Sequence, residues 1–212
     1  MKTEVIDGNC LTPEKYEYIG AALRSGALAA FPTDTVYGLG AVYSNEAAVK
    51  KIFAAKGRDE GKPLCVLVGS PDQAELLAES IPPEARLLME RFWPGPLTLI
   101  LKKKEDVSDA VTAGGATIGL RMPDNRIALN IIKAAGAPLA APSANTAGKR
   151  SAACIGDVLE DLGGRIELAV DGGLSGSGVS STIIDVGNMK ILRRGTITEE
   201  DLLQSISLHS RP

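Results

Sequence analysis

Apolar positions along the chain follow two rhythms that take turns. Ala47, Ala48, Val49, Ile52 and Phe53 fall on one helical face and Ile127, Ile131 and Ile132 on another, whereas Leu64–Val68, Leu97–Leu101 and Ile166–Val170 are compact runs suited to buried strands. Capping chemistry marks where the helices begin. Thr12-Pro13-Glu14 predicts a helix to about Ser25 with Gly26 as its stop, and Asn45-Glu46 one that ends in Lys56-Gly57-Arg58. Ser70-Pro71-Asp72-Gln73 has the spacing of a capping box, and Pro82-Pro83-Glu84 opens a helix through about Phe92, broken by Trp93-Pro94-Gly95-Pro96. Pro123-Asp124 hands over to a helix that stops at Gly136, another covers roughly 152–162, and Thr198 with Glu199, Glu200 and Asp201 predicts a last one. Further strands are predicted at 116–122, 139–141, 182–186 and 191–192. Strands alternating with helices imply an α/β fold: a three-layer single domain whose twisted, mixed parallel/antiparallel sheet is flanked by helices. Residues 1–11 read as an N-terminal extension, 12–205 as the domain, and 206–212 as a frayed tail.

Two stretches stand apart. Phe31-Pro32-Thr33-Asp34-Thr35-Val36-Tyr37-Gly38-Leu39-Gly40 reads as a buried strand delivering hydroxyls into a turn closed by glycines, near a strand end where α/β sheets hold ligands. Asp171–Ser180 is rich in glycine and serine and reads as a mobile loop, the one candidate for a lid besides the termini.

Composition narrows the chemistry. With 212 residues, 44% of them hydrophobic, the chain can bury a sizeable core. No apolar run is long enough to span a membrane and the N-terminus lacks a secretory pattern, so a cytoplasmic protein is expected. Cys10, Cys65 and Cys154 are scattered, which argues against a disulfide framework or a zinc site. The only histidine, His209, lies in the polar tail and reads as solvated, which removes most Ser-His, Cys-His and His-metal mechanisms. A net charge of -3 leaves any contact with nucleic acid to a local basic patch.

Common nucleotide signatures fail, since Gly148-Lys149 is followed by Arg150 and the glycines at 173–178 are not spaced as Gly-x-Gly-x-x-Gly. Yet cations and hydroxyls gather at predicted element ends: Lys56, Arg58 and Lys62; Thr117 and Arg121; Ser143, Asn145 and Ser151; Ser181; Arg193 and Arg194. Singly, each cation is more often a solvated surface charge. Together they suit a triphosphate, with lysine and arginine neutralising charge and hydroxyls donating to phosphate oxygens.

PTDTVYGLG, KGRDEGKPL, WPGPLTLIL, TIGLRMPDN, APSANTAGKRSA, STIIDV and ILRRG, in that order, resemble the YrdC-like family of L-threonylcarbamoyladenylate synthases over about residues 12–205. The resemblance implies a nucleotidyltransferase that makes threonylcarbamoyl-AMP and pyrophosphate from ATP, L-threonine and bicarbonate. Its product feeds threonylcarbamoyl modification of tRNA position 37, with hand-over to a threonylcarbamoyl-transferase complex. Carried over position by position, it puts Lys56, Arg58, Lys62, Thr117, Ser143, Ser151 and Arg193 on the nucleotide, with Lys56, Arg58, Ser143 and Asn145 as the hallmark catalytic set. Thr33 or Thr35, Arg121 and Ser181 would hold threonine, Arg121 facing its carboxylate, with the backbone near Leu67 and Ala141 lining the pocket. Mg2+ would bridge the phosphates with few protein ligands. The chain departs from many relatives at Asp59, where they have proline, and from some at Leu67, where they carry histidine. It also ends soon after ILRRG, so the C-terminal domain of longer members is not expected. The rival readings are a double-stranded RNA or tRNA-binding module built on Lys102–Lys104, Lys149-Arg150 and Arg193-Arg194, and a paralogue that adenylates another carbamoyl compound.

Overall fold

In the computed structural model, which describes residues 2–207, the two rhythms become one ten-stranded sheet with helices on both faces. The chain opens with β1 (Glu4–Asp7) and α1 (Pro13–Arg24), then pairs β2 (Ala29–Phe31) with β3 (Gly38–Val42). Helix α2 (Glu46–Lys56) leads to β4 (Cys65–Leu67), and α3 (Pro71–Leu77) and α4 (Pro83–Phe92) lead to β5 (Leu97–Lys102). A short α5 (Asp109–Thr112) precedes β6 (Thr117–Arg121), α6 (Arg126–Ala135) precedes β7 (Leu139–Ala140), and α7 (Ile155–Leu162) precedes β8 (Leu168–Asp171). The hairpin of β9 (Thr182–Asp185) and β10 (Lys190–Arg193) and helix α8 (Glu199–Ser207) follow. The strand order is β1-β8-β2-β3-β7-β4-β6-β5-β9-β10, with parallel pairs β1/β8, β2/β8, β4/β6 and β5/β9 among antiparallel ones. The mixed sheet expected from the sequence is therefore present. Residues after Ser207, including His209 and the rest of the tail read as frayed, lie outside the described residues.

Three predicted caps form. Thr12 Oγ1 accepts from Lys15 N at 3.4 Å, Asn45 Oδ1 from Ala48 N at 3.1 Å, and Thr198 Oγ1 from Asp201 N at 3.2 Å while the Asp201 carboxylate accepts from Thr198 N at 2.9 Å. The capping box at Ser70 does not form, because the Ser70 hydroxyl makes no cap bond and Gln73 Oε1 instead accepts from Gly69 N at 2.8 Å. Three elements escaped the pattern. The β1 strand buries only Ile6 and is an edge strand, α5 is a single turn, and the glycines read as closing a turn are strand residues of β3. Gly40 is required there by packing: a Cβ would lie 2.6 Å from Phe31 Cε1, so the ring of β2 occupies the room that a side chain would need.

Successive strand residues point to opposite faces. On one face Ala30, Leu39, Val66, Leu97, Leu120 and Ile184 meet α2, α4 and α7 through Ile52, Leu88 and Val158. On the other, Phe31, Val42, Leu139 and Val170 meet Ile19 and Leu23 of α1 and Ile131 and Ile132 of α6. These last four side chains are fully buried, each contributing about 1.5–3 kcal/mol. The pair α1 and α6 covers only the half of that face made by β8, β2, β3 and β7. The apolar layer under these helices ends on β4 with Leu67, and beyond it Cys65, Leu67, Arg121 and Ile183 border the space left.

The two covering helices approach closely at Gly20, where a Cβ would stand 2.3 Å from the carbonyl oxygen of Ala134. Alanine gains about 1 kcal/mol over glycine inside a helix, but overpacking against backbone costs about 1–3 kcal/mol. The clash should win, so Gly20→Ala should lower the urea midpoint of unfolding; a raised midpoint would mean that α1 and α6 separate freely.

Candidate active site

The uncovered half of the sheet is the floor of a cavity of about 190 Å³. Cys65, Leu67, Arg121 and Ile183 line it from the strands, while the turn 33–38, Arg58 and the segment 141–143 form its walls. The sequence pointed to a strand end; the structure uses a sheet face beside one. Register explains the choice of side chains. Leu67 of β4 pairs with Arg121 of β6, and Thr98 of β5 with Ile183 of β9, so all four share the open face. Arg193 joins them through an irregularity: Ile191 pairs with Ile184 but Arg193 pairs with Ile183, so Leu192 is an extra residue that turns Arg193 onto the cavity side.

Each cation is held by fixed partners. Arg121, which is 6% exposed, donates from Nε to Gly95 O at 3.0 Å, from Nη1 to Thr35 Oγ1 at 2.9 Å, and from Nη2 to the Asp34 carboxylate. Arg193 donates to Ser181 O and Ser181 Oγ, both at 2.9 Å, and Ser181 Oγ shares a 2.8 Å hydrogen bond with Thr98 Oγ1. Arg58 donates to Pro63 O at 3.0 Å, and its Nε is buried without a partner among the described residues. Burial pulls the Arg58 and Arg193 guanidiniums below their usual values, and at Arg193 the neighbouring Arg121 adds to the effect. Burial also pushes the Cys65 thiol up, against the pull of Arg121. Asp59, next to Arg58, restrains the turn after α2 by accepting from Gly61 N at 2.9 Å.

Lys56 departs from expectation. Expected at a helix end and on the nucleotide, it is instead 2% exposed and donates to the carbonyls of Ser143 and Asn145. It thus ties the end of α2 to the segment that carries Ser143, from behind the cavity wall. Burial, helped by Arg58 and opposed by Asp161, lowers its pKa to about 8. Asn145 is also behind the wall: its Nδ2 donates to Thr146 O at 2.8 Å and Lys149 O at 3.0 Å, while its buried Oδ1 has no partner among the described residues.

The structure therefore brings Thr33, Thr35, Arg58, Leu67, Arg121, Ala141, Ser143, Ser181 and Arg193 to one cavity. Lys62 and Thr117 are exposed and do not line it; Thr117 sits at the opposite end of β6 from Arg121, about 13 Å away at strand rise. Ser151 lines a separate hollow with Lys149, Arg150 and Asp161. Cys65, Ile183 and the buried Thr98 escaped sequence reading, although the period of two from Leu67 and Ser181 leads straight to Cys65 and Ile183. The loop after β8, expected to be mobile, is tied down: Ser175 Oγ donates to Thr33 O at 2.9 Å, Ser177 N to Asp34 O at 3.2 Å, and Gly178 N to Thr35 O at 2.9 Å. Tyr37 adds an O–H bond to Gly173 O at 2.7 Å, and burial raises its phenol to about 12.

Residues 21–195 match the Sua5_yciO_yrdC family, described as "Telomere recombination". The chain is 48% identical over 182 residues to the threonylcarbamoyl-AMP synthase of Pyrococcus abyssi and 49% over 185 residues to that of Bacillus subtilis, alignments that take in 85% and 86% of this chain and 54% of each relative. It thus spans about half the length of these curated relatives. A putative threonylcarbamoyl-AMP synthase of Mycobacterium tuberculosis is 33% identical with 97% of this chain and 96% of its own length covered. Among solved structures, P. abyssi Sua5 complexed with L-threonine superposes with a TM-score of 0.93 at 44% identity, covering 96% of this chain and 61% of that one. Escherichia coli YciO, at 23% identity and a TM-score of 0.80, shares the fold. On the extent of these matches, the chain belongs to the Sua5, YciO and YrdC family.

Proposed function

We propose that the chain synthesises L-threonylcarbamoyl-AMP from ATP, L-threonine and bicarbonate. The observation that carries this reading is one small cavity lined by three guanidiniums, Arg58, Arg121 and Arg193, together with the hydroxyls of Thr33, Ser143 and Ser181. Such a site orients anions and stabilises developing negative charge. The names of the relatives and the threonine complex of the P. abyssi protein support the choice of substrates. A volume of about 190 Å³ suits an amino acid and falls below the roughly 300–1,000 Å³ of larger ligand sites. Adenosine would extend beyond it, and the 142–151 segment, which borders both this cavity and the hollow at Ser151, gives it a course.

Chemically, threonine's amine and bicarbonate lose water to form a carbamate, whose oxygen attacks the α-phosphorus of ATP; the bond to the β-phosphate oxygen breaks and pyrophosphate leaves. No protein nucleophile is required. Arg121 would take the threonine carboxylate, with Ser181 and Thr33 or Thr35 nearby. Arg58, Arg193 and Ser143 would meet the phosphates, and Lys56 and Asn145 would hold the wall that presents Ser143. Magnesium would ride on the triphosphate, since among the described residues no three His, Cys, Asp or Glu side chains gather to hold a metal. The product would pass to a threonylcarbamoyl transferase acting on tRNA in the cytoplasm. Direct RNA binding is the weaker reading because the basic runs are internally paired: Lys102 with Glu79 at 2.7 Å, Lys103 with Asp109 at 2.9 Å and Lys149 with Asp161 at 2.6 Å.

The direct test is pyrophosphate release from ATP, bicarbonate and magnesium. It should require L-threonine; release that ignores threonine would remove the proposal. Arg58→Ala should lower turnover by roughly 100-fold or more, from about 3 kcal/mol of lost charge stabilisation, with the unfolding midpoint little moved. Because Lys56 titrates near 8, kcat/KM for ATP should fall as pH rises through about 8, when the cation is lost. Stability should not fall with it. A lysine whose folded pKa is depressed carries its burial penalty in full below pH 8 and sheds it between there and the unfolded value, so the folded state gains as pH rises. A pH profile flat well above 8 would deny the Lys56 charge any part in ATP use.

A further inference from the structure

We propose that Asp34 is a positioning residue for amino-acid recognition: it holds the Arg121 guanidinium so that its remaining Nη protons meet the α-carboxylate of the substrate. The inference rests on reading the cavity as an amino-acid site. Arg121 and Thr35 line that cavity and Asp34 does not, so the carboxylate grips the guanidinium from the far side. The manner of the grip matters. An arginine–carboxylate pair commonly forms a two-pronged fork, which would take two N–H groups out of use. Here one oxygen, Asp34 Oδ1, engages Nη2, while Oδ2 is buried and has no partner among the described residues. With Nε on Gly95 O and Nη1 on Thr35 Oγ1, one further N–H on each Nη nitrogen is left for a ligand. A buried carboxylate oxygen without a partner is unfavourable, so something must hold Asp34 in this one-pronged pose.

The turn does so. Thr33 Oγ1 donates to Val36 O at 2.7 Å and accepts from Thr35 N at 3.1 Å, and Ser177 N caps the Asp34 carbonyl at 3.2 Å. Gly176 lies so close that a Cβ there would stand 1.7 Å from Asp34 O. Asp34 is therefore fixed by backbone contacts on both sides, and the long Arg121 side chain takes its orientation from it.

Calorimetric binding of L-threonine and of L-threoninol, in which an alcohol replaces the carboxylate, isolates this role without requiring turnover. Wild-type protein should prefer threonine. Asp34→Ala should weaken threonine roughly 10- to 100-fold, as for loss of a charge-assisted bond, and leave threoninol and ATP unchanged. Asp34→Asn keeps the shape and one acceptor, guards against a folding defect, and should lie between. Retained preference for the carboxylate in both variants overturns the proposal while the amino-acid reading stands. Equal weakening of threonine, threoninol and ATP reduces Asp34 to a structural residue and overturns it as well, and wild-type protein that binds neither threonine nor threoninol overturns both readings.

Discussion

The structure depends on an incomplete covering. A pleated sheet presents every second side chain to each face, so a strand whose odd positions pack under helices must offer its even positions to whatever lies opposite. On one face every strand of the centre is roofed with apolar side chains; on the other, the layer under α1 and α6 ends on β4 with Leu67. The strands beyond could not carry leucine and isoleucine on both sides without leaving an apolar trough in water. On the open side they mix Cys65, Thr98, Gly119 and Arg121 with only Leu67 and Ile183 at the cavity. The site is thus what the core becomes where its second roof is missing.

Placing guanidiniums in such a trough, and an ammonium behind its wall, takes them out of water, which several fixed acceptors must offset. The acceptors are mainly backbone: Gly95 O for Arg121, Ser181 O for Arg193, Pro63 O for Arg58, and Ser143 O and Asn145 O for Lys56. Carbonyls neutralise no charge, so the cluster keeps its net positive field while its side chains stay ordered, which is the condition for electrostatic preorganisation. Among the described residues Asp34 is the one carboxylate to form an ion pair at the cavity, and it reaches Arg121 from behind.

Local chemistry made much of the fold legible. Thr12, Asn45 and Thr198 announced their helices because a cap is satisfied within a few residues, and the runs at 64–68 and 97–101 announced buried strands because they are short and apolar save for Thr98. The candidate site was legible in part through ordered motifs: Thr33, Thr35, Arg58, Leu67, Arg121, Ala141, Ser143, Ser181 and Arg193 converge on one cavity, whereas Lys62, Thr117 and Ser151 stand apart from it. What escaped depends on distant parts of the chain. Gly38 and Gly40 look like turn formers, yet Gly40 serves the ring of Phe31 across the sheet. Lys56 looks like an ordinary C-terminal helix charge until the 143–145 carbonyls arrive to bury it. Thr117 looks as suited to the site as Arg121, but a strand has two ends and only one is near the cavity.

The extra residue in β10 has a consequence of its own. Leu192 is 54% exposed and no partner residue stands opposite it, so its identity matters little to the hairpin. The irregularity that it makes matters a great deal, because it decides which side of the sheet Arg193 takes. Were the strand to pair regularly from Ile191 with all its residues kept, Leu192 would stand opposite Ile183, Arg193 would fall on the opposite side of the molecule, and Ser181 would face the hollow without its guanidinium.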